Sequence, residues 1–117
     1  MTFAELKKNH EILGQIDWDL TPQQAFEAYQ IKSINSWKYR NLPPVHYFAV
    51  TAWEGRARVV LIKRSLKDSQ EIAEIPVPAD LVAACLGQGR GEPAPSGHHP
   101  IDRAIRDWLA AELALTP

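Results

Sequence analysis

The stretch VHYFAVTAWEGRARVVLIKR, residues 45–64, decides the fold. Its two runs, 45–53 and 57–64, are dense in β-branched and aromatic side chains, which suit a pleated, half-buried surface. Glu54-Gly55-Arg56 lies between them, so the natural reading is a β-hairpin whose register the connection does not specify. The first run is apolar at nearly every position. That predicts a strand buried on both faces, or one whose second face is aromatic. A weaker third strand around Glu71–Val77 follows, entered through Leu66-Lys67-Asp68-Ser69. Pro76 and Pro78 confine it to an edge of the sheet or end it, because proline cannot donate to a ladder.

Helical patterns flank this sheet. Thr2 with Glu5 has the form of a capping box, and Phe3, Leu6, His10 and Leu13 follow at helical spacing as far as Gly14. Thr21-Pro22-Gln23-Gln24 is a stronger start, with a capping hydroxyl, proline at the first helical position and a glutamine able to reach back. Phe26, Tyr29 and Ile34 lie near one face of this second helix, which Leu42-Pro43-Pro44 must break. Ala79–Leu86 reads as a short helix closed by Gly87. The run GQGRGEPAPSGHHP (87–100) has loop composition, and a last helix opens at His99-Pro100-Ile101-Asp102 with the stripe Ile101, Ile105, Trp108, Leu109. The expectation is one α+β domain over 1–117 with a flexible loop at 87–100, a small antiparallel sheet packed with helices, in the order α-α-β-β-(β)-α-α.

The chain has 117 residues and an ordinary apolar and charged content, which allows a single core and argues against disorder throughout. Its one cysteine, Cys85, excludes an intrachain disulfide. The run after Met1 lacks the basic and apolar regions of a signal peptide, and no window approaches a membrane span, so the expected location is the cytoplasm. The formal charge of −1 hides a segregation. Eight of the thirteen basic residues but only Glu54 of the fourteen acidic ones fall within 32–67, a local charge of +7 against −8 elsewhere. Either acidic helices neutralise a basic hairpin, within one molecule or across a dimer, or the middle of the chain presents a basic face to a partner.

Few residues point to chemistry. His98-His99 are neighbours without the spacing of a metal site, so no metal is expected. Gly87-Gln88-Gly89-Arg90-Gly91 follows a helix and precedes a proline-rich loop, which is neither a dinucleotide turn nor a Walker loop. Cys85 sits in the apolar run VAACLG, where a buried inert thiol is expected. Asp17 and Asp19 flank Trp18 in a connector, where capping or solvation accounts for them. No cofactor and no enzymatic activity are expected. An enzyme would require a concave site joining at least two of His46, Cys85, His98, Asp17 and Asp19.

The aromatic and basic residues are interleaved: Tyr29, Trp37, Tyr39, Tyr47, Phe48 and Trp53 fall beside Lys32, Lys38 and Arg40. Stacking faces in a basic groove hold single-stranded nucleic acid, while the same spacing also suits a helix packed on a hairpin.

Three groups of residues carry a resemblance. They are Thr21-Pro22-x-x-Ala25 with Tyr29 and Trp37, the hairpin's Tyr47-Phe48-x-Val50-x-x-Trp53 with Val60–Arg64, and Ile101-x-x-x-Ile105-x-x-Trp108-Leu109. Over roughly 17–113 the chain resembles a small family of uncharacterised proteins from sulfate-reducing and related anaerobic proteobacteria. It departs from that family after the tyrosine, where Gln30-Ile31-Lys32-Ser33 replace an acidic residue and a Trp-Gly. The resemblance implies one compact α+β unit and carries over no catalytic residue.

The expected function is binding: a non-enzymatic accessory or regulatory protein acting through a basic, aromatic surface. Its candidate residues are Trp37, Lys38, Tyr39, Arg40, Arg56, Arg58, Lys63 and Arg64. The expected partner is a protein or a second copy of the chain, with no membrane or metal involved. Single-stranded nucleic acid is the alternative.

Overall fold

The computed structural model describes residues 1–34, 43–53, 56–65, 68–87 and 97–113. Among these, the order is α1 (Phe3–Lys7), α2 (His10–Leu13), α3 (Pro22–Ile34), β1 (Val45–Trp53), β2 (Arg56–Arg64), β3 (Ser69–Ile75), α4 (Ala79–Gly87), β4 (His98–Pro100) and α5 (Arg103–Glu112). The fold is α+β, with a four-stranded sheet in the order β3-β2-β1-β4 whose neighbours all run antiparallel.

The hairpin is the frame. β1 and β2 pair without interruption from Val45↔Arg64 to Trp53↔Arg56. Arg56 therefore belongs to the second strand and not to the connection. Alternation along the strands sends Phe48, Val50, Val59 and Leu61 to one face and Tyr47, Ala49, Val60 and Ile62 to the other. The first set joins Leu6, Leu13, Val82, Cys85, Ile105 and Leu109 in the main core, under α1, α2, α4 and α5. The second set packs with Ala25 of α3 in a smaller core on the opposite face. β1 is buried on both sides, which explains why its sequence does not alternate apolar with polar.

The predicted caps form. Thr2 and Glu5 make a reciprocal box. Thr21 Oγ1 accepts from the Gln24 N–H at 3.2 Å, and the Thr21 N–H donates to Gln24 Oε1 at 3.0 Å. The first helix, however, is two helices. Asn9 Oδ1 accepts from the Ile12 N–H at 3.0 Å and starts α2 afresh, because asparagine is a poor interior residue and a strong N-cap.

Two further expectations need correction. The third strand begins two residues earlier than predicted, at Ser69, and stops at Ile75 just before Pro76. His99-Pro100 do not open the last helix. They lie in β4, where Val50↔His99 and Ala49↔Pro100 are register partners, and the N-cap of α5 is Asp102. Pro100 lacks an N–H and is tolerated because β4 is an edge strand. Of the predicted flexible loop at 87–100, residues 88–96 lie outside the described residues, and 98–100 are strand.

Both edges of the sheet are guarded. β4 has three residues and ends in proline. In β3 the register shifts between Leu61 and Ile62, leaving Ile72 as a bulge, and the Ile72 carbonyl accepts from the Met1 amino group at 2.6 Å. Such devices blunt strand-to-strand pairing between molecules. The two edges also meet: His98 Nε2 of β4 lies 3.1 Å from Glu71 Oε2 of β3. Strands three places apart in a flat sheet are about 14 Å apart, so the sheet curls over this face.

Asp102 is 6% exposed, and its Oδ1 accepts from the Ile105 N–H at 2.9 Å. Asp102→Ala is expected to lower unfolding stability by about 1–2 kcal/mol in urea titrations, while Asp102→Ser keeps most of it. Equal losses for the two variants would show that the cap does not hold the start of α5.

Candidate functional site

Of the sequence-predicted binding residues, the three whose side chains are described, Arg58, Lys63 and Arg64, do not share one face of the sheet. Trp37, Lys38, Tyr39 and Arg40 lie outside the described residues, as does the side chain of Arg56. Strand alternation puts Arg58 and Arg64 on the α3 side of the sheet and Lys63 on the opposite face. Arg58 is engaged: its Nη2 is 3.3 Å from Glu71 Oε1, and its Nη1 is 3.6 Å from Glu74 Oε2. Arg64 is half-buried, with its guanidinium 5.6 Å from the centre of the Tyr29 ring. Lys63 differs. It is exposed, and among the described residues the ion pairs involve Lys7, Arg58, His98, Arg103 and Arg106, and none involves Lys63.

Of the interleaved aromatics, those whose side chains are described follow the packing expectation, while Trp37 and Tyr39 lie outside the described residues. Tyr29, Tyr47 and Phe48 are buried, and Trp18 packs on Phe48 with ring centres 5.2 Å apart. These rings hold the core together and are not a stacking surface.

The hairpin's open end is chemically more distinctive. His46 faces Lys63 across the β1–β2 ladder, and Lys63 faces Gln70 across the β2–β3 ladder. Three polar side chains thus stand in one row on the face that is otherwise the main apolar core. They line a cleft of about 1030 Å³, walled by Asn9, Ile12 and Gln15 on one side and by Pro43 and Pro44 at the entry to β1. The Pro43 carbonyl accepts from the Tyr29 hydroxyl at 3.3 Å, which ties that entry to α3.

His46 is 3% exposed, and its Nδ1 is buried without a hydrogen-bond partner. Its backbone is fixed from the other side, where the carbonyl accepts from the Asp17 N–H at 2.8 Å beside a parallel bridge to Ile16. Burial, and then the nearby charge of Lys63, hold the imidazole pKa below its usual 6.5. The ring is therefore neutral at pH 7, with one nitrogen able to accept and one able to donate.

A second hollow, of about 540 Å³, lies between Trp18–Thr21 and the start of α5. Its charges are already paired within the fold. Arg106 Nη1 is 2.8 Å from Asp19 Oδ1, and Asp102 caps α5. The residues that an enzyme would have to combine are dispersed. The cleft holds His46 without Cys85, His98, Asp17 or Asp19, and the hollow holds only Asp19 of that set. Cys85 is fully buried with its Sγ 3.6 Å from the Pro100 carbonyl, and His98 is tied to Glu71. Among the described residues no group of three His, Cys, Asp or Glu side chains could hold a metal ion, and no helix is long and apolar enough to cross a membrane.

His46 was visible in the sequence only as an isolated histidine in a strand. Its pairing with Lys63 could have been read by aligning the two runs about Glu54-Gly55, which is the register the connection alone did not specify. Gln70 could not be found this way, because the bulge at Ile72 shifts the third strand by one residue.

Because the folded pKa of His46 is depressed, its contribution to stability is complete above pH 6.5 and is lost as pH falls through the folded value. Unfolding free energy is expected to drop between pH 7.5 and 5.5, and His46→Gln to flatten that slope in urea titrations. An unchanged slope would show that the ring protonates freely in the folded protein. Comparison with protein-family models, with curated proteins and with solved structures finds no match, so the site stands on its own geometry.

Proposed function

We propose that the protein is a non-enzymatic binding protein, of an accessory or regulatory kind. It recognises an anionic partner protein through the open end of the β1–β2 hairpin. The observation that carries this reading is the row His46–Lys63–Gln70 in a concave site, with Lys63 exposed and in none of the described ion pairs. Arg58 and Arg64 support the frame through Glu71, Glu74 and Tyr29, while Lys63 is available for contact. The run Trp37–Arg40 precedes Pro43 and Pro44 in the chain. Trp37, Tyr39 and Arg40 of that run, which lies outside the described residues, are of the residue types that dominate interface energetics.

Self-association through the sheet edges fits this reading less well, because a proline-ended β4 and a bulged β3 obstruct such pairing. Single-stranded nucleic acid is the competing partner class. It would require stacking faces, and Tyr29, Tyr47 and Phe48 are in the core.

Fluorescence anisotropy separates the two. A labelled peptide rich in glutamate and leucine is expected to bind at low salt, with Lys63→Glu weakening it about tenfold or more and Arg58→Ala changing it less than about twofold. If an oligothymidine strand binds instead, with affinity falling steeply as salt rises, the protein-partner reading is wrong.

A further inference from the structure

We infer that the cleft at the open end of the hairpin is a binding site for a single carboxylate on an apolar carrier, held between Lys63 and His46, with His46 taking up one proton from solvent as the ligand enters. This deepens the proposal above by naming the group that the site recognises.

The placement of the two side chains comes first. His46 and Lys63 are direct cross-strand partners on the same face, so their Cβ atoms stand about 4.5–5.5 Å apart. An ammonium and an imidazole at that separation can converge on the two oxygens of one carboxylate. Gln70, on the far side of Lys63, adds an amide donor to the row.

The second argument is the state of His46. A ring 3% exposed whose Nδ1 has no partner is an unusual thing to bury, since an unsatisfied polar group costs about 1–3 kcal/mol. Unpaired groups of this kind in native proteins call for an explanation, and a ligand in the cleft it lines provides one. Burial and the charge of Lys63 both disfavour the His46 imidazolium. A carboxylate placed between them reverses that field and favours it, so binding and proton uptake are linked.

The third argument selects the ligand. Asn9, Gln15 and Gln70 are polar, but Ile12 and Ile72 give the cleft an apolar wall that a bare anion would not use. The charged groups around His46 also limit the ligand's charge. Lys63 is the cross-strand partner of His46 on β2, Glu11 of α2 and the Met1 amino group line the same cleft, Glu71 of β3 borders it, and Asp17 lies in the segment bridged to β1. The Glu71 carboxylate is turned to Arg58 and His98. Lys63 and the Met1 amino group then cancel against Glu11 and Asp17 in number, and a protonated His46 balances one negative charge. A dianion such as a phosphate monoester would remain uncompensated. The carboxylate can come from a free organic acid or from an acidic side chain or C-terminus of a partner protein.

NMR titration of the His46 ring tests this, with three probes between pH 5.5 and 8: hexanoate, hexanamide, and a leucine-flanked glutamate peptide alongside its glutamine counterpart. A carboxylate probe is expected to raise the pH midpoint of His46 and to bind more tightly as pH falls, by up to about tenfold per pH unit. Hexanamide and the glutamine peptide leave the midpoint unchanged. Lys63→Met abolishes the effect, whereas His46→Gln weakens binding and removes its pH dependence. Folding of both variants is checked by their amide spectra. If neither carboxylate moves the His46 midpoint, or hexanamide moves it equally, the inference is overturned. That result would leave the proposed function standing wherever the acidic peptide still binds by anisotropy. A response to hexanoate alone supports the carboxylate site while contradicting the protein-partner reading. A response to the glutamate peptide supports both.

Discussion

The register of the β1–β2 ladder is the constraint on which the rest of the molecule depends. Side chains alternate between the faces of a strand, so a slip of one residue would exchange everything the two faces present. The main core would lose Phe48, Val50, Val59 and Leu61 and face Tyr47, Ala49, Val60 and Ile62 instead. The same slip would separate His46 from Lys63 and dissolve the polar row. Stability and recognition therefore rest on one alignment. Burial specifies it from both sides, because α3 covers one face of β1 while α1, α2, α4 and α5 cover the other. Ala25 and Ala49 share the smaller core, and their short side chains let helix and sheet approach closely.

The electrostatics follow from the same frame. The +7 of residues 32–67 suggests a broad basic surface, but β3 brings Glu71 and Glu74 against Arg58 and neutralises that position. These acids lie only a few residues beyond the basic segment, and the hairpin's antiparallel neighbour folds them back onto it. Neutralisation of the described part of the hairpin thus comes from a cross-strand network more than from acidic helices. Exposed ion pairs of this type contribute little to stability, typically 0–1 kcal/mol, and their effect here is to determine which cations remain available. Lys63 remains because it points to the other face, where its cross-strand partners are His46 and Gln70.

Much of the architecture was legible in the sequence. Dense β-branched and aromatic runs gave the hairpin, the non-alternating first strand its double burial, and Thr21-Pro22 and Gly87 the bounds of two helices. The misses have two physical origins, tertiary pairing that overrode a local signal and a local cap that the apolar spacing concealed. Pro100 is an acceptable first residue of a helix, yet pairing with Ala49 placed it on a strand edge and left Asp102 to cap. His10 and Leu13 continue the spacing of Phe3 and Leu6, but Asn9 restarts the helix. Of the candidate site, residue types were legible and convergence was not. Arg58, Lys63 and Arg64 are near neighbours in sequence, yet Lys63 lies on the opposite face from the two arginines and only it meets the cleft.

Native-state amide hydrogen exchange tests the central claim, that the β1–β2 ladder in this single register is the rigid element carrying the site. The amides of Ala49, Val50, Val60 and Leu61, each flanked by paired strands on both sides, are expected to exchange only through global unfolding. Their opening free energy should equal that from denaturant titration. Exchange of these four at a free energy well below the global value would mean that the ladder opens or slips while the protein stays folded, and would contradict the account.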